Sequence, residues 1–558
     1  MYIIGVSELD NDVGAVLFKD GKILGALNEE RLTRKKRQPG VPRLAIKYLL
    51  EKEKITMDDL DRLVLVKPKW KDEFSINYGS LINFSWLNLE DSNLKIRLLS
   101  ILGYIFYMIP FFTFRNFLFS RQWESFIKEN NFPQKKIIRV DHHRSHAACA
   151  YYSSGWSEGL YITLDGQGGG VTGTVSIGKE GNLQCIHRIK LPNSIGFFYA
   201  GATKALGFKI GRHEGKVTGL AAYGKPNKEC VSFFRKIIKF KNSTLIAPDV
   251  IGSYPTLRKL LRTYGSKDFA ASVQFVFEEV ISDFVNYWVL KTGISKVGFS
   301  GGVFANVKLN QKIHELKSIK EIYIFPNMSD GGLAYGACLD QFPWRSRTFG
   351  SIYLGPEFSK EEIERSLIKN KLNYSKPDNA PEKIASLLQE KKVVARFGGK
   401  MEYGPRALGN RSILYRPDIP EVNEWLNAAL NRTEFMPFAP VTMYEHACSC
   451  YFGIKGAERS AEYMTITFNC TDEMKNNSSA VVHLDGTARP QLIRRDVNSF
   501  YYDILYYFHK KTGIPSLVNT SFNMHEEPIV CNPDDAIRAF KLGKIDVLSI
   551  GPFLVYSS

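Results

Sequence analysis

The chain has 558 residues, which is too long for a single hydrophobic core, so two or more domains are expected. Its 44% hydrophobic and 23% charged residues are those of an ordinary folded protein, and its formal net charge is +17. That positive balance favours an anionic partner: a nucleotide, an acyl phosphate, a nucleic acid or an acidic membrane surface.

The eight cysteines contain no C-x-x-C pair, so neither a zinc ribbon nor a disulfide scaffold is predicted. The N-terminus has no basic region before its short apolar stretch, which argues against a signal peptide. A reduced, cytoplasmic setting is therefore expected.

Two stretches of the chain share one design. "YIIGVSELDNDVGAVLFKDGKILGAL", from Tyr2, predicts a strand, a polar turn and a hairpin closed at Asp20 and Gly21. "YITLDGQGGGVTGTVSIGKEGNLQCI", from Tyr161, repeats the pattern and closes at Glu180–Gly181. The repetition predicts a duplicated α/β unit whose halves hold a ligand between the turns at their strand ends. The alternative is that the two hairpins are similar only because all hairpins share this pattern.

Residues 98–114, "LLSILGYIFYMIPFFTF", form an apolar segment of 17 residues at the lower limit for spanning a bilayer. Pro110 and the density of aromatic residues argue against a simple span. Three interpretations stay open: a buried helical hairpin or substrate lid, a membrane-facing surface, and a transmembrane helix.

"VDHHRSHAACA", residues 140–150, places His142 and His146 four residues apart. On a helix they share one face and can converge on a metal ion, although such a pair is more often solvated or structural. His143 between them is expected either to support the ligands or to lie at the surface.

Two further turns rich in glycine follow predicted strands. Gly301 and Gly302 come after the strand 297–300 and precede an amphipathic helix, which would let the backbone approach a nucleotide closely. "NMSDGGLAYGA" places Asp330 after another strand. The stretch "GRHEGKV" is not a P-loop, because its glycine spacing is wrong and the Ser or Thr is missing.

From about Phe349 the sequence pattern changes to a proline followed by a charged helix, in "LGPEFSKEEIERSL", and this marks the predicted domain boundary. Blocks rich in arginine follow. They are "GGKMEYGPRALGNRSILYRP", "NRTEFMPFAP", "DGTARPQ" and "VNTSFNMHEEPIV".

Together these blocks resemble the O-carbamoyltransferases typified by the nodulation protein and by tobramycin and cephamycin tailoring enzymes. The blocks that carry the resemblance, in family order, are "EERLTRKK", "DHHRSHAACAYY", "EGKVTGLAAYG", "SGGVFANVKLN", "SDGGLAYGA", "GPRALGNRSIL", "DGTARPQ" and "NTSFNMHEEPIV". The resemblance implies an α/β protein of two domains. Residues 1–348 would be an actin-like ATPase domain similar to the threonylcarbamoyl-transferring enzyme, with an apolar insertion at about 75–135. Residues 349–558 would be an α+β domain similar to threonylcarbamoyl-adenylate synthase.

The resemblance also implies a reaction. Family members form carbamoyl adenylate from carbamoyl phosphate and ATP and pass the carbamoyl group to an alcohol. Relatives bind a divalent, iron-like metal through matching motifs. The resemblance therefore implies that His142, His146, Asp165 and Asp330 bind it here, where it would act as a Lewis acid.

The remaining site residues carry over in two sets. In the first domain, nucleotide binding is expected at Glu214, Lys216, Gly219, Gly301, Gly302 and Asn306, with a solvated loop lysine as the alternative for Lys216. In the second domain, phosphate and carbamoyl contacts are expected at Arg406, Arg411, Arg432, Arg489, Asn519 and Ser521, although some arginines can be structural ion pairs.

One position departs from the family. Many relatives carry a histidine where this chain has Asn11, and asparagine cannot accept a proton. The proton of the acceptor hydroxyl would then be taken by Asp10, Asp12 or another group, unless the metal lowers the pKa of the acceptor. Asp12 is the candidate base. Lys36, with Arg31 and Lys35, would neutralise phosphate unless the three form only a basic surface.

Two competing interpretations remain: a tRNA-modifying enzyme, and a nucleotide-binding module that has lost its chemistry. No stretch interleaves basic and aromatic residues for stacking bases, so nucleic acid is not expected as a partner. The expected partners are ATP, carbamoyl phosphate and a hydroxyl-bearing acceptor, with an apolar or lipid-linked acceptor suggested by residues 98–114. That segment also leaves peripheral membrane contact open, and homo-oligomerisation is not decided by these motifs.

Overall fold

The computed structural model describes residues 1–7, 9, 11–66, 109–247, 254–341, 350–430 and 438–557, with the backbone alone at 109–116 and 254–255. The chain divides into two compact units. The first comprises Met1–Leu24 and Pro39–Phe349, and the second comprises Gly25–Gln38 and Gly350–Ser558. The second unit thus includes a segment from near the start of the chain.

The first sheet has the strand order β3-β2-β1-β4-β5. Its strands are β1 Tyr2–Val6, β2 Gly14–Lys19, β3 Lys22–Asn28, β4 Arg62–Val66 and β5 Ile137–Val140. β1 pairs antiparallel with β2 and parallel with β4, and β4 pairs parallel with β5. The hairpin β2–β3 turns at Asp20 and Gly21, both at positive φ (48° and 93°), as a tight two-residue turn requires.

The second sheet repeats this topology, with the order β12-β11-β6-β7-β8. Its strands are β6 Glu158–Gly168, β7 Val171–Lys179, β8 Asn182–Lys190, β11 Lys296–Ser300 and β12 Glu321–Ile324. β6 pairs antiparallel with β7 and parallel with β11, which pairs parallel with β12. The predicted duplication is therefore confirmed. A separate ribbon pairs β9 Lys239–Lys241 with β10 Thr244–Ile246.

Helices connect and cover these strands. They are α1 Glu30–Thr33, α2 Arg43–Lys52, α3 Ile109–Glu129, α4 His142–Ser154, α5 Ile195–Ala205, α6 Glu214–Ala221, α7 Lys228–Ile237, α8 Tyr254–Thr292, α9 Val307–His314 and α10 Leu333–Asp340. Within α8 the helical path breaks at Gly265, whose φ is 77°.

The helices α4 and α10 pack against each other, α4 on the second sheet and α10 on the first. Glycines make the close packing possible. A Cβ on Gly336 would lie 2.0 Å from the Ser145 carbonyl oxygen, and one on Gly5 would lie 2.5 Å from Sγ of Cys338. Gly336, in the "SDGGLAYGA" block, thus lets α10 approach α4, and Gly5 of β1 lets α10 approach the first sheet.

The second unit is built on a mixed sheet with the order β18-β15-β19-β14-β13-β20-β21. Its strands are β13 Val394–Phe397, β14 Arg411–Tyr415, β15 Ala439–Met443, β18 Gln491–Ile493, β19 Ser516–Ser521, β20 Val547–Ile550 and β21 Phe553–Tyr556, with a small ribbon of β16 Phe468–Asn469 and β17 Thr487–Ala488. Its helices are α11 Lys360–Lys369, α12 Ala380–Gln389, α13 Val422–Ala429, α14 Ala447–Cys450, α15 Glu458–Ala461, α16 Asp472–Asn477, α17 Ser499–Thr512 and α18 Pro533–Leu542. α12 and α17 cover a core of strand residues that includes Val394, Leu414, Val441 and Leu517.

The segment 25–38 is attached to this second unit by both its backbone and its side chains. The Ala26 N–H donates to the Leu354 carbonyl at 3.1 Å. Leu32 packs on a small core that includes Met401, Ala407 and Ile529. The functional labels predicted for 1–348 and 349–558 stay predictions.

Most of the apolar segment 98–114 lies outside the described residues, and so does much of the predicted insertion at about 75–135. Only the backbone at its end is seen, in the first turns of α3. Within the described ranges, none of the helices combines the length and the apolar composition that crossing a bilayer would need.

Candidate functional site

Four side chains from distant parts of the first unit meet at one point. These are His142, His146, Asp165 and Asp330, each of which offers a ligand atom within 4.8 Å of the others. Nε2 of His146 lies 3.3 Å from Oδ2 of Asp165 and 3.6 Å from Oδ1 of Asp330, and Nε2 of His142 lies 3.8 Å from that same Asp330 oxygen. The spacing suits a single bound ion.

The parallel strands of the second sheet bring the carboxylates together. Asp165 lies near the end of β6, and Asp330 begins the short 3-10 helix Asp330–Gly332 after β12. Because β6, β11 and β12 run parallel, their carboxyl ends share one edge of the sheet, where open α/β sheets bind ligands. The histidines come from α4, whose first residue follows the N-cap Asp141; that carboxylate accepts the Arg144 N–H.

Ser300 determines the tautomer of His146. Nδ1 of His146 lies 3.1 Å from Oγ of Ser300, and that hydroxyl donates to the Met328 carbonyl at 3.2 Å. Since the serine proton is used, Nδ1–H must donate, and the lone pair of Nε2 points at the carboxylates. A lone pair facing carboxylate oxygens is repulsive unless a cation, either a proton or a metal ion, lies between them.

Backbone amides hold Asp165 in its ionised form. Its Oδ1 accepts the Gly166 N–H at 2.6 Å, and its Oδ2 accepts the Gly302 N–H at 3.0 Å. Burial raises the pKa of Asp165, but positive charge at the neighbouring His146 and His142, together with the Gly302 N–H, outweighs burial and lowers it overall.

Two glycines leave room for this arrangement. A Cβ on Gly168 would lie 2.2 Å from Cγ of His142. Gly301 has a φ of 107°, and a Cβ there would lie 2.3 Å from the Leu164 carbonyl oxygen. Gly301 thus lets its neighbour Gly302 reach Asp165.

His143 is neither a ligand nor a surface residue. It is fully buried, with Nε2 3.0 Å from the Val171 carbonyl and Nδ1 2.8 Å from Oγ1 of Thr163. Burial lowers its pKa, so the ring is neutral and ties α4 to the second sheet. The surface interpretation of His143 is wrong.

Asn11 lies at the edge of the four-residue cluster. Its Nδ2 donates to Oδ2 of Asp330 at 3.5 Å, so Asn11 is a hydrogen-bond donor to one of the four carboxylate and imidazole groups. Asp12 is the next residue, at a φ of 47°, and Asp10 lies outside the described residues.

The predicted nucleotide residues are arranged around α6 and the start of α9. Glu214, Lys216 and Gly219 lie on α6, with Lys216 buried, and Oε1 of Glu214 accepts the Gly211 N–H. Asn306 caps α9: its Oδ1 accepts the Leu309 N–H at 3.1 Å. Its predicted contact with a nucleotide stays a prediction.

Gln274, which sequence reasoning did not single out, contacts the predicted nucleotide residue Asn306. It exchanges hydrogen bonds of 2.9 and 3.0 Å with the Asn306 amide and accepts the Tyr199 hydroxyl at 2.7 Å. Tyr199 Oη is also 2.9 Å from Oγ1 of Thr218, inside the "EGKVTG" block. Only Asn306 and Thr218 belong to motif blocks, so the sequence carried no signal for Gln274.

In the second unit, Arg411 is buried and binds backbone. Its Nη1 donates to the carbonyls of Gly398, Gly399 and Asn410 at 3.1, 3.2 and 2.8 Å, and its Nη2 donates to Pro356 at 3.1 Å. Burial lowers the pKa of Arg411 to about 10. Its predicted contact with phosphate stays a prediction, while the structure shows it holding the turn 398–399.

The other predicted arginines differ in environment. Arg406 and Arg489 are both partly exposed, and Arg432 lies outside the described residues. Arg31, expected at a phosphate or on a basic surface, is buried in the second unit, and its Nη2 donates to the Gly404 carbonyl at 2.7 Å. Lys36, in the same segment, is partly exposed.

Asn519 and Ser521 lie on β19, next to β14. Nδ2 of Asn519 donates to the Ala407 carbonyl at 3.2 Å and to Oε1 of Gln491 at 2.7 Å. Oγ of Ser521 donates to Oδ1 of Asn523 at 2.6 Å. Asn519 therefore contacts the loop that carries Arg406.

The family described as Carbamoyltransferase N-terminus matches residues 2–339, and that described as Carbamoyltransferase C-terminus matches residues 385–557. The chain belongs to the carbamoyltransferase family. It is thus an enzyme, a transferase, and both of its matched regions are those of carbamoyltransferases.

Relatives match this carbamoyltransferase over nearly its whole length. An uncharacterized protein of Methanocaldococcus jannaschii is 34% identical, covering 99% of each chain. Nodulation protein NolNO of Sinorhizobium fredii is 29% identical, covering 98% of this chain and 79% of its own. Among solved structures, full-length HypF in its phosphate- and nucleotide-bound form is similar at a TM-score of 0.36 and 13% identity, covering 61% of this chain and 55% of its own.

Proposed function

We propose that this carbamoyltransferase is an ATP-dependent O-carbamoyltransferase. It makes carbamoyl adenylate from carbamoyl phosphate and ATP, and transfers the carbamoyl group to a hydroxyl of a small-molecule, sugar or lipid-linked acceptor. The observation that carries the proposal is the convergence of His142, His146, Asp165 and Asp330 at the carboxyl ends of three parallel strands.

The four residues fit a divalent metal. Two imidazoles and two carboxylates are donors suited to a first-row transition metal, and we assign Fe²⁺. Nε2 of His146 and Oδ1 of Asp330 are buried and make no hydrogen bond to any described residue. When bound, the metal supplies a Lewis acid that polarises an oxygen of the carbamoyl group.

The proposed reaction has two stages, formation of carbamoyl adenylate and transfer of the carbamoyl group. Water cleaves carbamoyl phosphate to carbamate and phosphate, and a carbamate oxygen then attacks the α-phosphorus of ATP, expelling pyrophosphate and leaving carbamoyl adenylate. The acceptor hydroxyl attacks the carbamoyl carbon, loses its proton to a base and expels AMP.

We assign these stages to different residues of the chain. Arg406, Arg489 and Arg432 bind phosphate oxygens during adenylate formation, because guanidinium groups offer planar, paired donors. Asn519 and Ser521 are the neutral hydrogen-bonding partners that we assign to the carbamoyl amide or the nucleotide. Lys36 neutralises phosphate.

The transfer stage belongs to the first unit. Asn11 cannot take the acceptor proton, and the neighbouring Asp12 is the base we assign. Glu214, Lys216, Gly219 and the turn Gly301–Gly302 hold the nucleotide. Among these acceptors, the apolar sequence 98–114 favours an apolar or lipid-linked one.

The test is mass spectrometry of the purified full chain with Fe²⁺, ATP, carbamoyl phosphate and a panel of alcohols, sugars and lipid extracts. The expected result is pyrophosphate and AMP release together with a product that has gained one carbamoyl group. A parallel reaction with tRNA examines the competing interpretation. Carbamoylation or threonylcarbamoylation of tRNA, or product formation without ATP, would contradict the proposal.

A further inference from the structure

The loop 404–410 of the second unit, which carries Arg406, is held at its end by one buried carboxylate. Glu402 is 3% exposed. Its Oε1 accepts three backbone N–H groups, those of Leu408, Asn410 and Arg411, at 2.8, 2.7 and 3.2 Å. Three N–H donors on one carboxyl oxygen hold this end of the loop at three successive points of the backbone.

The start of the loop is held by an arginine from a remote part of the chain. Arg31 is 5% exposed, and its Nη2 donates to the carbonyl of Gly404 at 2.7 Å. Gly404 has a φ of 142°. Arg31 is held by Glu30, whose Oε1 lies 3.4 Å from Nη1. Leu32 beside it packs against Met401 and Ala407.

Other side chains bind the middle of the same loop. Nδ2 of Asn519 donates to the Ala407 carbonyl at 3.2 Å, and both the Tyr353 hydroxyl and Nε2 of Gln491 donate to the Leu408 carbonyl at 2.7 and 2.9 Å. The backbone on both sides of Arg406 is therefore constrained before any ligand arrives. Such preorganisation lowers the cost of aligning a charged group with its substrate.

We propose that Glu402 and Arg31 are positioning residues for Arg406, the first through the N–H groups after it and the second through the carbonyl before it. The proposal rests on the proposed function, in which Arg406 binds a phosphate oxygen. Neither residue touches the substrate. The segment 25–38 is thereby part of the phosphate-binding unit, although residues 39–349 of the chain separate it from the rest of that unit.

The test is a set of double-mutant cycles in the full chain. Glu402→Gln and Arg31→Lys are made alone and with Arg406→Ala, and the KM values for carbamoyl phosphate and ATP and the kcat for pyrophosphate release are measured. Each single variant should raise the KM of the substrate that Arg406→Ala affects by about tenfold to a hundredfold. In the Arg406→Ala background each should change that KM by less than about twofold, because its effect passes through Arg406.

Matched controls are Glu462→Gln and Arg416→Lys. Glu462 is a largely buried carboxylate paired with Arg494, and Arg416 donates to Asp418 and to the Gln389 carbonyl. Both controls should keep the wild-type KM values. Melting temperatures are recorded for every variant.

Two results would overturn the proposal. One is an effect of Glu402→Gln or Arg31→Lys that is equally large with and without Arg406. The other is a lowered melting temperature with unchanged KM values, which describes a purely structural role. A wild-type chain that releases no pyrophosphate would instead contradict the proposed function, and the same cycles measured by calorimetric binding of ATP and of carbamoyl phosphate then decide the positioning.

Discussion

Nδ1 of His146 donates to Oγ of Ser300 across 3.1 Å, and Ser300 in turn donates to the Met328 carbonyl. The pair directs the lone pair of Nε2 toward Asp165 and Asp330. Ser300 therefore orients a candidate ligand without being one.

Replacing Ser300 with alanine should weaken metal binding about tenfold to a hundredfold, because the supporting hydrogen bond of a histidine ligand sets its tautomer and ring orientation. Fe²⁺ affinity is measured by competition with a chromophoric chelator. Ser153→Ala is the control, since Ser153 is equally buried on α4 but bonds Tyr323 and the Cys149 carbonyl. Equal loss of affinity in both variants would contradict the role of Ser300.

Gly168→Ala should remove metal binding almost completely. Its Cβ would lie 2.2 Å from Cγ of His142, so the ring must move. Gly350→Ala is the matched control, because a Cβ there meets no atom of the described residues within 4 Å. Metal content by elemental analysis, with circular dichroism to verify folding, checks the prediction; a folded Gly168→Ala chain with full metal content would refute it.

The two stages of the reaction should separate by mutation. Arg489→Ala would remove a charge-assisted phosphate contact, worth about 1.5–3 kcal/mol or one to two decades in rate, and should slow pyrophosphate release with or without acceptor. His146→Ala should abolish transfer to the alcohol while labelled carbamoyl adenylate still forms, as chromatography would show. Equal loss of pyrophosphate release in both variants, each still folded and able to bind ATP, would contradict separate stages.

Glu278 should make the protein less stable as pH rises above the acid range. Burial raises the pKa of Glu278, against the opposing hydrogen bond from Gln274 and the charges of Lys308 and Lys312, and Glu315 raises it further. Between the unfolded pKa, about 4.3, and the raised folded pKa, the folded state binds more protons, so its stability falls as pH increases.

Glu278→Gln should therefore increase the free energy of unfolding at pH 8 and flatten its dependence on pH in that window. The substitution keeps an acceptor for the Gln274 amide, which lies 2.7 Å from Oε1. Urea unfolding at several pH values measures the free energy of unfolding and its dependence on pH. Glu279→Gln, a more exposed carboxylate paired with Arg235, is the control, and an unchanged pH profile in Glu278→Gln would show that the group titrates normally when folded.

Much of the first unit could be predicted because local patterns specify it. An acidic residue followed by glycine predicts the hairpin turns at Asp20–Gly21 and Glu180–Gly181. The repeat of strand patterns predicts the duplication that the two sheets confirm. The spacing of His142 and His146 was equally local, since the helix sets it.

Local sequence patterns could not predict whether those histidines lie next to carboxylates. Asp165 and Asp330 approach them because parallel strands end at one edge of the sheet, and their joint assignment relied on a family resemblance rather than on spacing. His143 shows the limit: its sequence neighbours are the candidate ligands, yet the helix turns it into the sheet against Thr163.

The order of the motifs, the alternation of strands and helices and the chemical kinds of side chain follow from the sequence alone. Which of those side chains act together depends on the tertiary structure. It placed Arg31 in the second unit and surrounded Arg411 with carbonyl groups, because hydrogen-bond partners distant in sequence are set by how sheets and loops pack, and the residue type alone does not encode them.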